Sequence, residues 1–322
     1  MIVNPAAGKR AAGENLATLE ERLSEAGYRF EIRETTGEGD ALEWARQASD
    51  VDLVVALGGD GTIMEVMSGL IDGKRGIPLA QIPAGTANLL ARALGIPTDL
   101  DGAIDVALSG VVIEHDVGRE EGSGRYFAMV AGAGFDAQLM EDTPRALKNR
   151  MGFSAYLIAG LRNLFRLKRS YILLQVDGDH HHFRAHTVMA LNIAMIEGLK
   201  LPGAVEIDPH DGKLDIAIVT PASLFGILEV ALRLVSGRLS GYERLRFMQA
   251  RQLRIEANPP LDVELDGEPL GTTPLTLTAV RNGARFVVPR SYAQKRALDT
   301  YPIGNRQESK TSGRSPARTG PD

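Results

Sequence analysis

Leu16, Leu19, Leu23 and Ala26 recur at three- and four-residue intervals between polar positions, which predicts an amphipathic helix over 15–26 closed by Gly27. Tyr28, Phe30 and Ile32 then alternate with charged neighbours and predict a strand. A second helix over 41–48, an unbroken apolar strand over 51–57, a helix over 62–70, a strand over 79–82 and a helix over 87–94 follow. Strands alternating with helices at this spacing predict a parallel, doubly wound sheet.

Beyond Gly110 the rhythm changes. Apolar runs at 126–131, 171–176, 187–194, 214–219, 261–265 and 285–288 are separated by Gly, Asp and Asn turns, which predicts mostly antiparallel β structure. Helical insertions are expected near 152–168 and 222–236. From about 303 the chain holds Gly, Pro, Ser, Lys and Arg with few apolar residues, the composition of a disordered tail over 303–322. The expected division is an α/β domain over 1–110, a β domain over 111–284 and a return strand over about 285–300.

Composition narrows the function classes. With 322 residues, 44% of them hydrophobic, the chain can bury a large core. Its 36 basic residues against 41 acidic ones, a formal charge of −5, argue against a nucleic-acid partner, which needs a concentrated basic surface. The absence of cysteine excludes disulfides, thiolate metal sites and cysteine nucleophiles. No apolar run reaches the roughly eighteen residues of a membrane span, and no charged-then-apolar leader opens the sequence, so a cytoplasmic location is expected.

Three loops concentrate the candidate chemistry. Gly58-Gly59-Asp60-Gly61-Thr62 follows a buried strand and starts a helix: glycines let backbone approach an anion, the helix start offers free N–H groups, and Asp60 can reach a magnesium ion. Taken alone it also reads as a tight strand-to-helix turn. Asn4-Pro5-Ala6-Ala7-Gly8-Lys9 ends the first strand and Pro83-Ala84-Gly85-Thr86-Ala87-Asn88 the fourth, so all three loops open on the carboxyl edge of one parallel sheet, where such folds bind ligands. Gly132-Ala133-Gly134 opens a nominal dinucleotide pattern, but the acid expected about twenty residues on is missing. His180, His181 and His182 follow a predicted hairpin tip, and neighbours on a strand face opposite ways, which argues against a metal site.

With Asp211-Gly212-Lys213-Leu214-Asp215 and Asp266-Gly267-Glu268, these blocks occur in an order that resembles the diacylglycerol kinase/sphingosine kinase-like lipid kinase family, in particular its soluble bacterial members. The resemblance runs from Ile2 to about Pro289. It implies an N-terminal α/β domain of the NAD-kinase/phosphofructokinase kind with a parallel sheet, and a C-terminal, mostly antiparallel β-sandwich. ATP and a lipid substrate would meet between them, and the last strand, near Phe286 to Pro289, would return to pack near Ile2. Carried over residue by residue, it places Asn4, Thr35, Gly59, Asp60, Gly61, Thr62, Glu65, Thr86 and Glu268 around ATP. Asp266 becomes the general base, and Asp211, with carbonyls near Asp208 and Lys213, a magnesium site. A homodimer stays open.

Phosphoryl transfer needs magnesium, phosphate-binding backbone and one carboxylate to take the hydroxyl proton, so the residues suit that assignment on their own terms. Asp266-Gly267 also reads as a hairpin turn. The stretch 148–169 carries Lys148, Arg150, Arg162, Arg166, Lys168 and Arg169, no acid, and an apolar set including Tyr156, Leu157, Leu161, Leu164 and Phe165. A basic amphipathic segment of this kind suits transient contact with the anionic inner membrane surface, although packing on the sandwich would use the same residues. The expected activity is therefore ATP-dependent phosphorylation of a diacylglycerol-like or sphingoid-like lipid. The alternatives are an NAD kinase and a catalytically silent lipid- or nucleotide-binding protein.

Overall fold

A computed structural model describes residues 1–7, 12–134, 169–193, 207–220 and 245–303. The N-terminal unit is built on strands β1 (Ile2–Val3), β2 (Arg33–Glu34), β3 (Val54–Gly58) and β4 (Leu79–Pro83), parallel and ordered β2-β1-β3-β4. All five residues of β3 are buried, as expected of a parallel strand covered by helices on both faces. Those helices are α1 (Ala12–Glu25), α2 (Asp40–Gln47), α3 (Asp60–Gly73), α4 (Leu89–Ala93) and α5 (Leu100–Ser109). The stripe read from the sequence is the buried side of α1, where Leu19 and Leu23 enter the core. At the crossing of α2 and α3, a Cβ on Gly69 would stand 2.1 Å from the Leu42 carbonyl oxygen, so only glycine permits this approach.

Two local expectations change. The alternation over 28–32 forms no strand: Tyr28 and Phe30 are each 38% exposed, because β1 is two residues long and offers pairing only to Arg33 and Glu34. Helix α5 was not read from the sequence, although Asp99 caps it by accepting the Gly102 N–H at 2.9 Å and Ala103, Ile104 and Ala107 bury one face.

Two long strands tie the halves together. β5 (Val111–Glu120) and β16 (Leu275–Val288) pair antiparallel over almost their whole length, with an irregularity between Val280 and Ala284. Near its end β16 joins the parallel sheet at Phe286 opposite Leu79 of β4. The return strand therefore meets the sheet at β4, and β3 and β4 separate it from Ile2, beside which the sequence had placed it.

At its other end β16 pairs with β13 (Gln252–Asn258), which pairs with β8 (Ser170–Val176) and then β9 (Asp179–Ala185). A second, antiparallel sheet has the order β12-β11-β10-β7-β14-β15. It comprises β7 (Val130–Ala133), β10 (Thr187–Leu191), β11 (Leu214–Val219), β12 (Leu245–Ala250), β14 (Asp262–Leu265) and β15 (Glu268–Thr272). Ile172, Leu174, Leu253 and Ile255 from one sheet share a core with Val188, Ile216, Val263 and Leu265 from the other. This is the antiparallel sandwich expected beside the α/β unit. β6 (Tyr126–Phe127) and α6 (Arg290–Lys295) complete the described elements.

His180 to His182 lie on β9, just beyond the Asp177-Gly178 turn. The expected helices near 152–168 and 222–236, the basic stretch 148–168 and the tail after 303 lie outside the described residues. Among the described residues, no helix is long and apolar enough to cross a membrane.

Candidate active site

The apolar run at 126–131 is two strands, because the chain breaks step at Ala128 and Met129 between β6 and β7. That break has a chemical result. The N–H groups of Ala128, Met129 and Val130 all donate to the Asp266 carboxylate, at 2.8, 2.9 and 2.8 Å. Asp266 and Gly267 form the β14–β15 turn, both with positive φ (49° and 88°), the conformation that favours Asp-Gly in a two-residue hairpin. The turn and the presented carboxylate are thus one feature.

Burial pushes the Asp266 carboxyl up to about 6, against the pull of its three N–H donors, and the charge of Asp60 adds to the rise. Asp60 is also raised by burial, opposed by the N–H groups of Leu90, Leu89 and Asn88 at the start of α4. Its Oδ1 accepts the Leu90 N–H at 3.3 Å. Asp60 therefore links the glycine loop to α4 while its charge reaches Asp266 in the other unit.

A cleft of about 800 Å³ opens beside Asp266. Asn4, Thr35, Gly61, Thr62 and Glu65 line it from the parallel sheet's edge, and Leu265, Asp266 and Glu268 from the hairpin. The Asn4 amide donates to Thr62 Oγ1 at 2.9 Å, fixing the first loop to α3. Glu65 Oε1 accepts the Gly39 N–H at 3.2 Å, and Asp40 accepts from the Thr36 N–H and hydroxyl and the Gly37 N–H, which shapes the loop after Thr35.

Three predicted nucleotide residues stand outside this lining: Gly59, Asp60 and Thr86. Gly59 packs on Gly85, where a Cβ on Gly85 would lie 2.7 Å from the Gly59 Cα, and Thr86 is exposed on the adjoining turn. Sequence reasoning missed Arg125, Tyr126, Ser68 and Asp72 in the lining. Gly122-Ser123-Gly124 before Arg125 marked a tight turn, but nothing in the sequence aimed it at the cleft. Glu120 holds that turn by accepting the Gly122 N–H and the Ser123 N–H and hydroxyl.

Residues 1–119 match the family model described as the diacylglycerol kinase catalytic domain, and 129–289 match the YegS C-terminal NAD kinase beta sandwich-like domain. A diacylglycerol kinase of Bacillus subtilis (strain 168) is 30% identical over 298 residues, covering 92% of this chain and 97% of that protein. The chain belongs to the diacylglycerol kinase family. A Pseudomonas fluorescens protein bearing the name of a YegS-like lipid kinase is 34% identical over 291 residues, 88% of this chain and 93% of its own. A solved Bacillus anthracis str. Sterne structure, assigned as a diacylglycerol kinase, superposes with a TM-score of 0.76 at 26% identity, covering 90% of this chain and 95% of that one. An Archaeoglobus fulgidus NAD kinase in complex with ATP has a TM-score of 0.50 at 14% identity, over 91% of this chain and 95% of that one, and shares the fold.

In this family member the residues proposed for magnesium form a second cluster, apart from the cleft. Asp211 Oδ1 accepts the Lys213 N–H at 2.9 Å and Oδ2 the Gln249 amide at 3.3 Å, while Asp208 accepts from the His210 N–H at 3.2 Å. Asp116, which the sequence did not single out, binds the Gly212 N–H at 2.6 Å and the Asn282 N–H at 2.7 Å, joining β5, this loop and β16. Nearby Asp215 is pushed by burial up to about 6, with Asp211 and Asp208 adding to the rise. Such crowding of negative charge suits a cation. Among the described residues no three His, Asp or Glu side chains converge on one metal position, so a cation here would need carbonyl oxygens as well.

Glu264, two residues before Asp266, is raised to about 7 by burial, with the Asp266 charge adding to it. A carboxyl whose pKa is higher folded than unfolded contributes stability that is complete below the unfolded value and lost as pH rises through the folded one. Buried His115, lowered to about 3 by burial, acts the other way in mild acid but stands against the raised carboxyls of Glu264, Asp266, Asp215 and Asp60. Thermal unfolding is therefore expected at a higher midpoint near pH 5 than near pH 8, with Glu264→Gln narrowing the difference. A gap that Glu264→Gln leaves as wide as in the wild type would contradict this.

Proposed function

We propose that this lipid kinase transfers the γ-phosphate of ATP to a hydroxyl of a diacylglycerol-like or sphingoid-like lipid, with Asp266 as general base. The observation that carries the reading is the single cleft in which the loops of the parallel sheet face a half-buried carboxylate delivered by the hairpin. Asp266 Oδ2 accepts one N–H, which leaves a lone pair for the acceptor's hydroxyl, and its three donors hold the carboxylate still as the proton arrives. The start of α3 presents free backbone N–H groups beside Gly61 and Thr62, where phosphate oxygens would bind. Asn4 holds Thr62 in place there.

The lining fits a nucleotide that arrives with magnesium. Glu38, Glu65, Asp72, Asp266 and Glu268 face a single cation among the described lining residues, Arg125, so a bare polyphosphate would meet net negative charge. Magnesium bound to the phosphates would neutralise that charge and polarise the transferred group.

Purified protein given γ-labelled ATP, magnesium and a total lipid extract is expected to place label in the organic phase. Label confined to water would contradict the reading. The basic stretch 148–169 supports a peripheral approach to anionic vesicles, and removing the charges of Arg162, Arg166 and Lys168 should weaken vesicle binding at low salt. Arg169 is left out of that variant because its guanidinium donates to the Arg184 carbonyl at 2.6 and 3.2 Å and fixes the start of β8.

A further inference from the structure

The segment that holds the base also carries a cation. Ala128, Met129 and Val130 bind the Asp266 carboxylate through their N–H groups, and Arg125 stands three residues before the first of them. Its backbone is pinned: the Arg125 carbonyl accepts the Glu120 N–H at 2.8 Å, and its own N–H donates to Ser123 Oγ at 3.3 Å. Behind that turn the Glu120 carboxylate, itself buried, accepts from Gly122 and Ser123. Just beyond it β6 pairs with β5, Tyr126 opposite Arg119 and Phe127 opposite Gly118. The backbone is thus fixed on both sides, and the side chain lines the cleft.

The guanidinium has one partner among the described residues. Arg125 Nη2 lies 3.7 Å from Glu268 Oε2, with the two side chains 43% and 54% exposed. At that distance the contact is longer than a hydrogen bond, and exposed pairs of this kind contribute little to stability. The fold therefore gives no reason for a cation at this position. Its surroundings give one. A Cβ added to Gly61 would lie 3.6 Å from Glu268 Oε1, so the hairpin carboxylate reaches from Arg125 to the start of α3, where phosphate oxygens would bind. Glu268 follows Asp266 by two residues across the β14–β15 turn. One carboxylate thus separates the guanidinium from the phosphate-binding backbone, on the side of the cleft that holds the base.

We infer that Arg125 is a catalytic residue of the transfer: its guanidinium leaves Glu268 when ATP binds and donates its N–H groups to oxygens of the γ-phosphate. In that step the bond between the γ-phosphorus and the oxygen it shares with ADP breaks. A bond to the acceptor's hydroxyl oxygen forms, and the hydroxyl proton passes to Asp266. Arg125 exchanges no proton, because a guanidinium stays charged at any working pH. It holds the negative charge spread over the equatorial oxygens as the group moves, a task its planar fork of donors suits better than an ammonium does. A phosphate met at hydrogen-bond distance carries more charge than one carboxylate and displaces the 3.7 Å contact with Glu268. This rests on the reading of the protein as a lipid kinase with Asp266 as its base.

The test compares wild type, Arg125→Ala and Arg125→Lys in three measurements. These are kcat on diacylglycerol or sphingoid micelles, whichever the wild type labels faster, the affinity for ADP with magnesium and no lipid, and the unfolding midpoint. Arg125→Ala is expected to lower kcat by about 10²-fold or more, the scale of a single donor or arginine acting on the transition state. Its ADP affinity should stay within about twofold of wild type, because ADP lacks the γ-phosphate, and its midpoint should not move. Arg125→Lys, which keeps the charge and loses the fork, should fall between the two. Millimolar guanidinium ion should raise the turnover of Arg125→Ala several-fold, and the same concentration of urea should not. Turnover by Arg125→Ala within about twofold of wild type overturns the inference. So does a loss of turnover matched by an equal loss of ADP affinity or by a lowered midpoint, which marks a structural role, and so does a loss that neither lysine nor guanidinium repairs. A wild-type protein that labels neither lipid overturns the lipid-kinase reading itself, before any variant is made.

Discussion

Asp266→Asn is expected to lower kcat for lipid phosphorylation by about 10²–10⁴-fold, the usual contribution of a positioned general base. The KM for ATP should change little, because phosphate binding lies on the α3 side of the cleft. The amide cannot accept on both sides. One of the three N–H donors from Ala128, Met129 and Val130 would face an NH₂ group, at a cost of about 1–3 kcal/mol, so stability should fall near pH 5, while near pH 8 the loss is offset because the amide removes the charge that burial disfavours. Measuring kcat and unfolding midpoint on the same preparation separates the two effects: a folded variant with wild-type turnover would remove Asp266 from the chemistry. Since the base must be ionised and its carboxyl is raised to about 6, wild-type kcat/KM should climb as pH rises through about 6 and then level.

Gly85→Ala is expected to act on the nucleotide side. The new methyl would lie 2.7 Å from the Gly59 Cα and 2.8 Å from Asn88 Oδ1, and the first of these is backbone that cannot turn away. Asn88 uses that oxygen to accept the Gly85 N–H at 2.9 Å and its amide to reach the Gly85 carbonyl at 3.0 Å, so the turn has no slack. The loops must separate, and the start of α3 moves with them. Displacements well under 1 Å at a phosphate-positioning backbone can cost tenfold or more, and about 1 Å costs about 10²-fold. The loss should appear chiefly in kcat/KM for ATP, with little change in how lipid micelles bind. Nucleotide kinetics within about twofold of wild type would show that the Gly59–Gly85 contact does not set the phosphate site.

Much of the α/β unit was legible because its helices carry their apolar residues on one face and β3 is apolar throughout. Leu19, Leu23 and the run from Val54 to Leu57 could be read without a partner in view. The β region was less legible. Its strands pair with distant segments, and β16 changes partners midway, from β13 to β4, which no local pattern records. The 126–131 run looked like one strand because the step at Ala128 and Met129 is explained only by Asp266, more than 130 residues later. Asp266 itself could be found through its Asp-Gly turn and neighbouring blocks. Glu264 could not, since an acid alternating with Val263 and Leu265 reads as a solvent-facing position, and only the described fold shows it buried.

The most direct test of the account runs wild-type protein and Asp266→Asn side by side with γ-labelled ATP and magnesium, offering diacylglycerol and sphingoid micelles in one set of tubes and NAD in another. The account predicts label in lipid from the wild type, at least about a hundredfold less from the variant, and none in NAD. Label in NAD, or lipid labelled equally by both proteins, would contradict it.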